Sequence, residues 1–225
     1  MTSRAAGGGY DSKVSVPGLA IHSEDYDVTL LRGHCGGPSW GVDPTRAALL
    51  VHDLQPHYLD TLSARSRRLL LARVEHVVDW ADGNGVPILS SGPRPASDLA
   101  QRGLLGDCWG IGLSPEQAAQ VAVPRLGAIG ITRIAKRSYS AFYASDLETE
   151  LRRRRRDQLI IIGVYASHGI LATSLDAISR DIQAFIPFDA TADYTAYRHA
   201  AALDLIGTMS GRVLAVEDLP QSGAR

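Results

Sequence analysis

Six short apolar runs with helical stretches between them constrain this chain more than any other feature. Ala47–Asp53, Val86–Ser90, Ile129–Ala135, Gln158–Tyr165, Ile182–Phe188 and Arg212–Val216 read as strands. Thr61–Ala81 carries Leu62, Leu69, Leu70, Val74, Val77, Val78 and Ala81, mostly three or four residues apart, which is helical spacing. Gly83-Asn84-Gly85 ends that helix, because glycine tolerates the left-handed cap. Ser114-Pro115-Glu116 reads as a helix start, with serine as cap and proline in the first turn. Asp146–Arg156, Ile170–Arg180 and Ala196–Ser210 complete the helices. Strands interleaved with helices predict an α/β fold: a three-layer α/β/α sandwich around a six-stranded, mostly parallel sheet.

Length and charge narrow the function classes. With 225 residues the chain can bury a sizeable core, and 45% hydrophobic with 21% charged residues is globular usage. A net charge of −1 provides no global field for nucleic acid or anionic membrane. Two cysteines, Cys35 and Cys108, make no disulfide framework, which points to a reducing, cytoplasmic setting. Met1–Val16 is rich in Gly, Ser and Ala and lacks the apolar centre of a signal peptide, and no run reaches the length of a membrane span. Residues 1–40 are expected to form an N-terminal arm, disordered from Met1 to about Gly9, and residues 41–225 one domain. The run Arg152–Arg156 reads as a solvated helix end, with cations near the negative pole of the helix dipole.

Chemistry is expected where strands end. In open α/β sheets the carboxyl ends of the strands face the ligand crevice. Asp53 ends the first strand, Lys136 the third, and Tyr165 lies in the turn after the fourth. A carboxylate at the end of a buried strand needs a partner, and Lys136 is the obvious one. From the residues alone, Asp53 reads as a helix cap, a structural ion pair or a catalytic acid. The elbow Gly163-Val164-Tyr165-Ala166-Ser167-His168-Gly169 ends on a residue with no side chain, so attack by a thiol from that position is not expected.

From about Arg46 onward the chain resembles the isochorismatase-like hydrolases, in particular their cysteine-less subgroup. The likeness is carried by Val51-His52-Asp53-Leu54-Gln55, by Gln101-Arg102-Gly103-Leu104-Leu105 with Asp107-Cys108-Trp109-Gly110, by Lys136-Arg137-Ser138-Tyr139-Ser140-Ala141-Phe142, and by Gly163-Val164-Tyr165-Ala166 with the segments through Asp193. Each is weak alone; together, in order, they are specific. The resemblance implies a cofactor-free, metal-free hydrolase that cleaves the enolpyruvyl ether of isochorismate or 2-amino-2-deoxyisochorismate in secondary metabolism. It places Gly169 where thiol-using members of the superfamily carry their nucleophile. Protonating a vinyl ether needs one general acid and no nucleophile. Asp53 is the expected acid, and the substrate's own negative charges would help it keep its proton. Lys136 would orient it and hold the dianionic substrate. Arg102 would bind a carboxylate, Tyr165 and Gly169 would contact the ring, and Trp109 would close the site. Gln55 would contact substrate, orient the site from behind, or serve only as a loop residue. Tyr139 and Phe142 read as packing residues. The resemblance further implies a homodimer and a non-proline cis peptide at Val164–Tyr165.

Two positions depart from the family pattern. Pro93 stands where a substrate-contacting Gln is common, and proline donates no hydrogen bond. Ser167-His168 stands where the subgroup has His directly after Ala166, so His168 reads as a capping or packing residue. His52 and His57 have poor metal-ligand spacing, and His34-Cys35 has no matching pair. The end at Arg225 suggests a stand-alone enzyme without a carrier-protein domain, which favours the amino substrate. The rival readings are a cysteine-type amidase and a non-catalytic binding protein of the same fold.

Overall fold

Strands β1 (Ala47–His52), β2 (Ile88–Pro93), β3 (Thr132–Lys136), β4 (Gln158–Val164), β5 (Gln183–Pro187), β6 (Thr191–Ala192) and β7 (Gly211–Leu214) share one sheet. They are seen in a computed structural model that describes residues 23–221. The order is β3-β2-β1-β4-β5-β7, with β6 paired to the end of β4, and every pairing is parallel. The six expected strands are present. The two-residue β6 adds a seventh, too short to leave a pattern in the sequence.

Alternation along the strands builds the core from both sides. Ala47, Leu49 and Val51 of β1 join Ile160, Ile162 and Val164 of β4 in one apolar cluster. Ala48 and Leu50 join Leu159 and Ile161 in a second. Successive side chains point to opposite faces, so strands without polar positions need cover on both. α1 (Ala64–Gly83) covers the first face through Leu70, Val74, Val77 and Val78. α2 (Leu147–Arg153), α3 (Leu171–Ile178) and α4 (Ala196–Met209) cover the second through Leu147, Leu151, Ala177, Leu203 and Ile206.

Local signals set the ends of these elements. The Ser63 hydroxyl accepts from the Ser66 amide at 3.0 Å to start α1, and Gly85 takes φ of 66° just beyond its end. Between β2 and β3 the chain makes four short helical segments, Leu99–Arg102, Leu105–Trp109, Pro115–Ala119 and Pro124–Ala128. The third carries the capping box of Ser114 with Gln117. The last keeps residues 129–131 out of the sheet, so β3 begins three residues later than its apolar pattern suggests.

Tyr26, Val28 and Leu31 of the N-terminal segment pack against the sheet's second face, whereas Trp40 packs against the first. Val28–His34 is a 3-10 helix with Leu31 buried, and Gly36 bridges Val213. The expected disorder of Met1 to Gly9 lies outside the described residues. The arginine run is tied to protein: Arg152 reaches Glu148 and Arg153 and Arg154 reach Glu150, while Arg156 donates to the carbonyl of Pro44. Among the described residues no helix is long and apolar enough to cross a membrane.

Candidate active site

The carboxyl ends of β1, β3 and β4 open on a cavity of about 530 Å³. That volume is ordinary for a small-molecule site. Asp53 follows β1 directly, and Lys136 is the last residue of β3. β2 runs between those strands, which places β1 and β3 roughly 10 Å apart. The lysine stem spans that gap across the end of β2. Its Nζ stands 2.8 Å from Asp53 Oδ2 and donates to the carbonyls of Ser138 at 2.9 Å and Tyr139 at 3.2 Å. Those three partners use all three ammonium donors and fix the head group. The pair is nearly enclosed, Asp53 9% and Lys136 5% exposed, which makes mutual pairing obligatory. Ser91 Oγ donates to the other Asp53 oxygen at 3.3 Å.

His52 lies behind the acid, fully buried. Its Nδ1 is 3.0 Å from the Val164 carbonyl and 3.5 Å from Asp53 Oδ2. Burial pulls its pKa below the usual histidine value, against the opposing pull of Asp53, and keeps the ring neutral.

The elbow is shaped by contact with β1. At Gly163, φ is 116°, and a Cβ there would stand 2.1 Å from the His52 carbonyl oxygen. The Val164–Tyr165 peptide is cis, and Ala166–Ile170 makes a π-type turn in which the Ile170 amide donates to the Tyr165 carbonyl at 3.3 Å. At Gly169, which lines the cavity, a Cβ would stand 2.1 Å from Cε1 of His52. The imidazole therefore fills the space that a side chain at 169 would need.

The expected binding residues converge on the same cavity, with one exception. Tyr165 donates to the Tyr58 carbonyl at 2.6 Å, bonds the Thr61 hydroxyl at 2.7 Å, and stacks on Tyr194 at 4.1 Å. Burial raises its phenol to about 12 and also raises those of Tyr58 and Tyr194. Trp109 donates its indole N–H to Tyr139 Oη at 2.6 Å. The Arg102 guanidinium lies over Gly112, where a Cβ would meet its Cζ at 3.3 Å. Its Nε is buried without a partner, and no carboxylate pairs with it among the described residues. Gln55 is the exception. It does not line the cavity; its amide donates to the Ser91 carbonyl at 3.4 Å and fills the space that Gly92 leaves. The glycine draws the glutamine inward, behind the wall.

Several lining residues were not expected from the sequence. Tyr139 lines the cavity, whereas Phe142 is core, as its packing reading has it. His168, read as capping or packing, also lines it, as do Pro93, Tyr58 and Tyr194. Tyr194 had no local signal, because only the chain's return past β6 brings it to the elbow. Cys35 and Cys108 are exposed and outside the cavity wall. Among the described residues no three His, Cys, Asp or Glu side chains converge as a metal site.

Comparison with known proteins gives one consistent result. The family model for the isochorismatase domain matches residues 47–218. The phenazine biosynthesis protein PhzD of Pseudomonas fluorescens is 37% identical over 181 residues, 80% of this chain and 87% of that protein. Enterobactin synthase component B of Escherichia coli is 36% identical over 184 residues, 80% of this chain and 64% of that protein. The crystal structure of a cysteine hydrolase from Pseudomonas syringae superposes with a TM-score of 0.69 at 19% identity, covering 80% of this chain and 92% of that one. At that identity it speaks to the fold alone.

Proposed function

The chain belongs to the isochorismatase family, and from that premise we propose that it hydrolyses the enolpyruvyl ether of isochorismate or of 2-amino-2-deoxyisochorismate. The observation that carries this reading is a carboxyl–ammonium pair open to the cavity beside an elbow position closed to any side chain. Such a site can move a proton but offers no nucleophile at the elbow.

With the substrate's carboxylates offsetting the Lys136 charge, Asp53 carries a proton taken up from solvent and gives it to the terminal methylene carbon of the vinyl ether. The ether oxygen's lone pair then stabilises the cation at the adjacent carbon. Water adds there as its proton returns to Asp53, and the resulting hemiketal collapses to pyruvate as its hydroxyl proton passes to the departing ring oxygen. Lys136, held by two carbonyls, keeps the acid oriented and presents positive charge to an anionic substrate. Arg102 arrives with its charge unpaired, and a substrate carboxylate supplies the missing partner. Tyr165 and Trp109, each held by a hydrogen bond, wall the ring and limit stray water near the cation.

Coupled detection of pyruvate from both substrates tests this. Asp53→Asn keeps the shape and removes the acid, and kcat should fall roughly 1,000-fold, the scale of a lost general acid. An Asp53→Asn protein that releases pyruvate at the wild-type rate would exclude this mechanism.

A further inference from the structure

His168 takes no part in the proton transfer above, yet its imidazole lines the cavity and is held from several sides. Trp109 and Tyr139 lie 5.6 Å from it between ring centroids, Tyr194 5.8 Å and Tyr165 6.0 Å. Ser167 Oγ meets its Nδ1 at 3.2 Å. The Ser167 amide donates to Asp193 Oδ2 at 2.5 Å, and Asp193 is fully buried. The buried aspartate thus anchors the serine, and the serine sets the imidazole. Nε2 has no protein partner among the described residues.

We propose that His168 is a specificity-determining residue that accepts a hydrogen bond from a ring ammonium of the substrate, selecting 2-amino-2-deoxyisochorismate over isochorismate. The inference rests on the ether-hydrolase reading. Its basis is the division of charge around the cavity. The positive groups Arg102 and Lys136 serve carboxylates. The elbow side instead has aromatic rings and, behind Ser167, the Asp193 carboxylate. The Ser167 hydroxyl at 3.2 Å can accept from Nδ1–H, and in that tautomer the Nε2 lone pair is free to accept. Arg198, 5.8 Å over the Tyr194 ring, is the cation that opposes the Asp193 carboxylate. Burial holds the His168 pKa below its ordinary value, so the ring stays an uncharged acceptor at neutral pH. A hydroxyl could donate to the same nitrogen, but an ammonium makes the charge-assisted and stronger bond and gains from nearby aromatic faces.

The test is steady-state pyruvate release by wild type, His168→Ile and His168→Gln on both substrates, with thermal melts to confirm folding. Isoleucine should lower kcat/KM for the amino substrate roughly 10- to 100-fold, chiefly through KM, the scale of one charge-assisted hydrogen bond. Isochorismate should lose less, about 2- to 10-fold, the scale of one neutral hydrogen bond. Glutamine, which retains an acceptor, should recover part of the preference. Equal losses on both substrates, or none, would overturn the assignment while pyruvate release by wild type upheld the hydrolase reading. Failure of wild type to cleave either compound would overturn both.

Discussion

Two buried polar clusters in this molecule obey the same rule and end differently. Around His199 every side-chain donor and acceptor meets protein: Nδ1 pairs with the Tyr26 hydroxyl at 2.9 Å, Nε2 with the Thr191 hydroxyl at 2.9 Å, and Thr191 donates onward to the Phe188 carbonyl at 2.8 Å. Around Asp53 the pairing is left incomplete, with His52 Nε2 and Gln55 Oε1 buried without a partner. Lys136 is saturated, but Arg102 keeps a buried, unpartnered nitrogen and His168 a free one. A closed network specifies packing; an open one holds back hydrogen-bonding capacity for a ligand. Burial follows the same division: His199 is fully buried, whereas His168 is half-buried at the cavity wall.

The largest contrast should come from substituting each centre. Asp53→Asn is expected to lose activity by the margin given above while the protein remains folded. The next test is acid. Burial depresses His199 to about 3, well under its unfolded value. The neutral ring's contribution is therefore full above the unfolded pKa, near 6.5, and is lost as pH falls from there toward about 3. Between those limits stability should drop by about 1.4 kcal/mol per pH unit from this group. Urea melts from pH 7 to 4 would measure that slope, and His199→Gln should flatten it. An unchanged slope would show that His199 is not the group responsible. Arg102→Ala should raise KM by roughly 10- to 100-fold with a smaller change in kcat, the signature of a lost ground-state ion pair of about 1.5–3 kcal/mol. A selective fall in kcat would move Arg102 into the transition state. Replacing Cys35 and Cys108 with Ala should be the smallest change, leaving pyruvate release within about 2-fold, because exposed surface positions change little. Loss of turnover on Cys108→Ala would revive thiol chemistry.

Much of this was legible in the chain itself, for a physical reason. Strands buried on both faces leave continuous apolar runs, and the parallel order brings their carboxyl ends to one edge. Asp53 and Lys136 could thus be paired from the sequence, although β2 runs between them. What escaped were contacts made by backbone path rather than residue type. Gln55 looks like a ligand until Gly92 draws it inward. Tyr194 and the two-residue β6 depend on where the chain returns after β5. His168 looks like a helix cap because its Ser167–Asp193 support spans 26 positions.

His52 and Gly169 occupy one volume between them, and this has a consequence for descent. A change at 169 alone meets the imidazole, and truncation at 52 alone hollows out the ground beneath the acid. No single codon change leads comfortably from this elbow to one that bears a thiol. The two positions are coupled: a side chain at 169 needs a smaller group at 52.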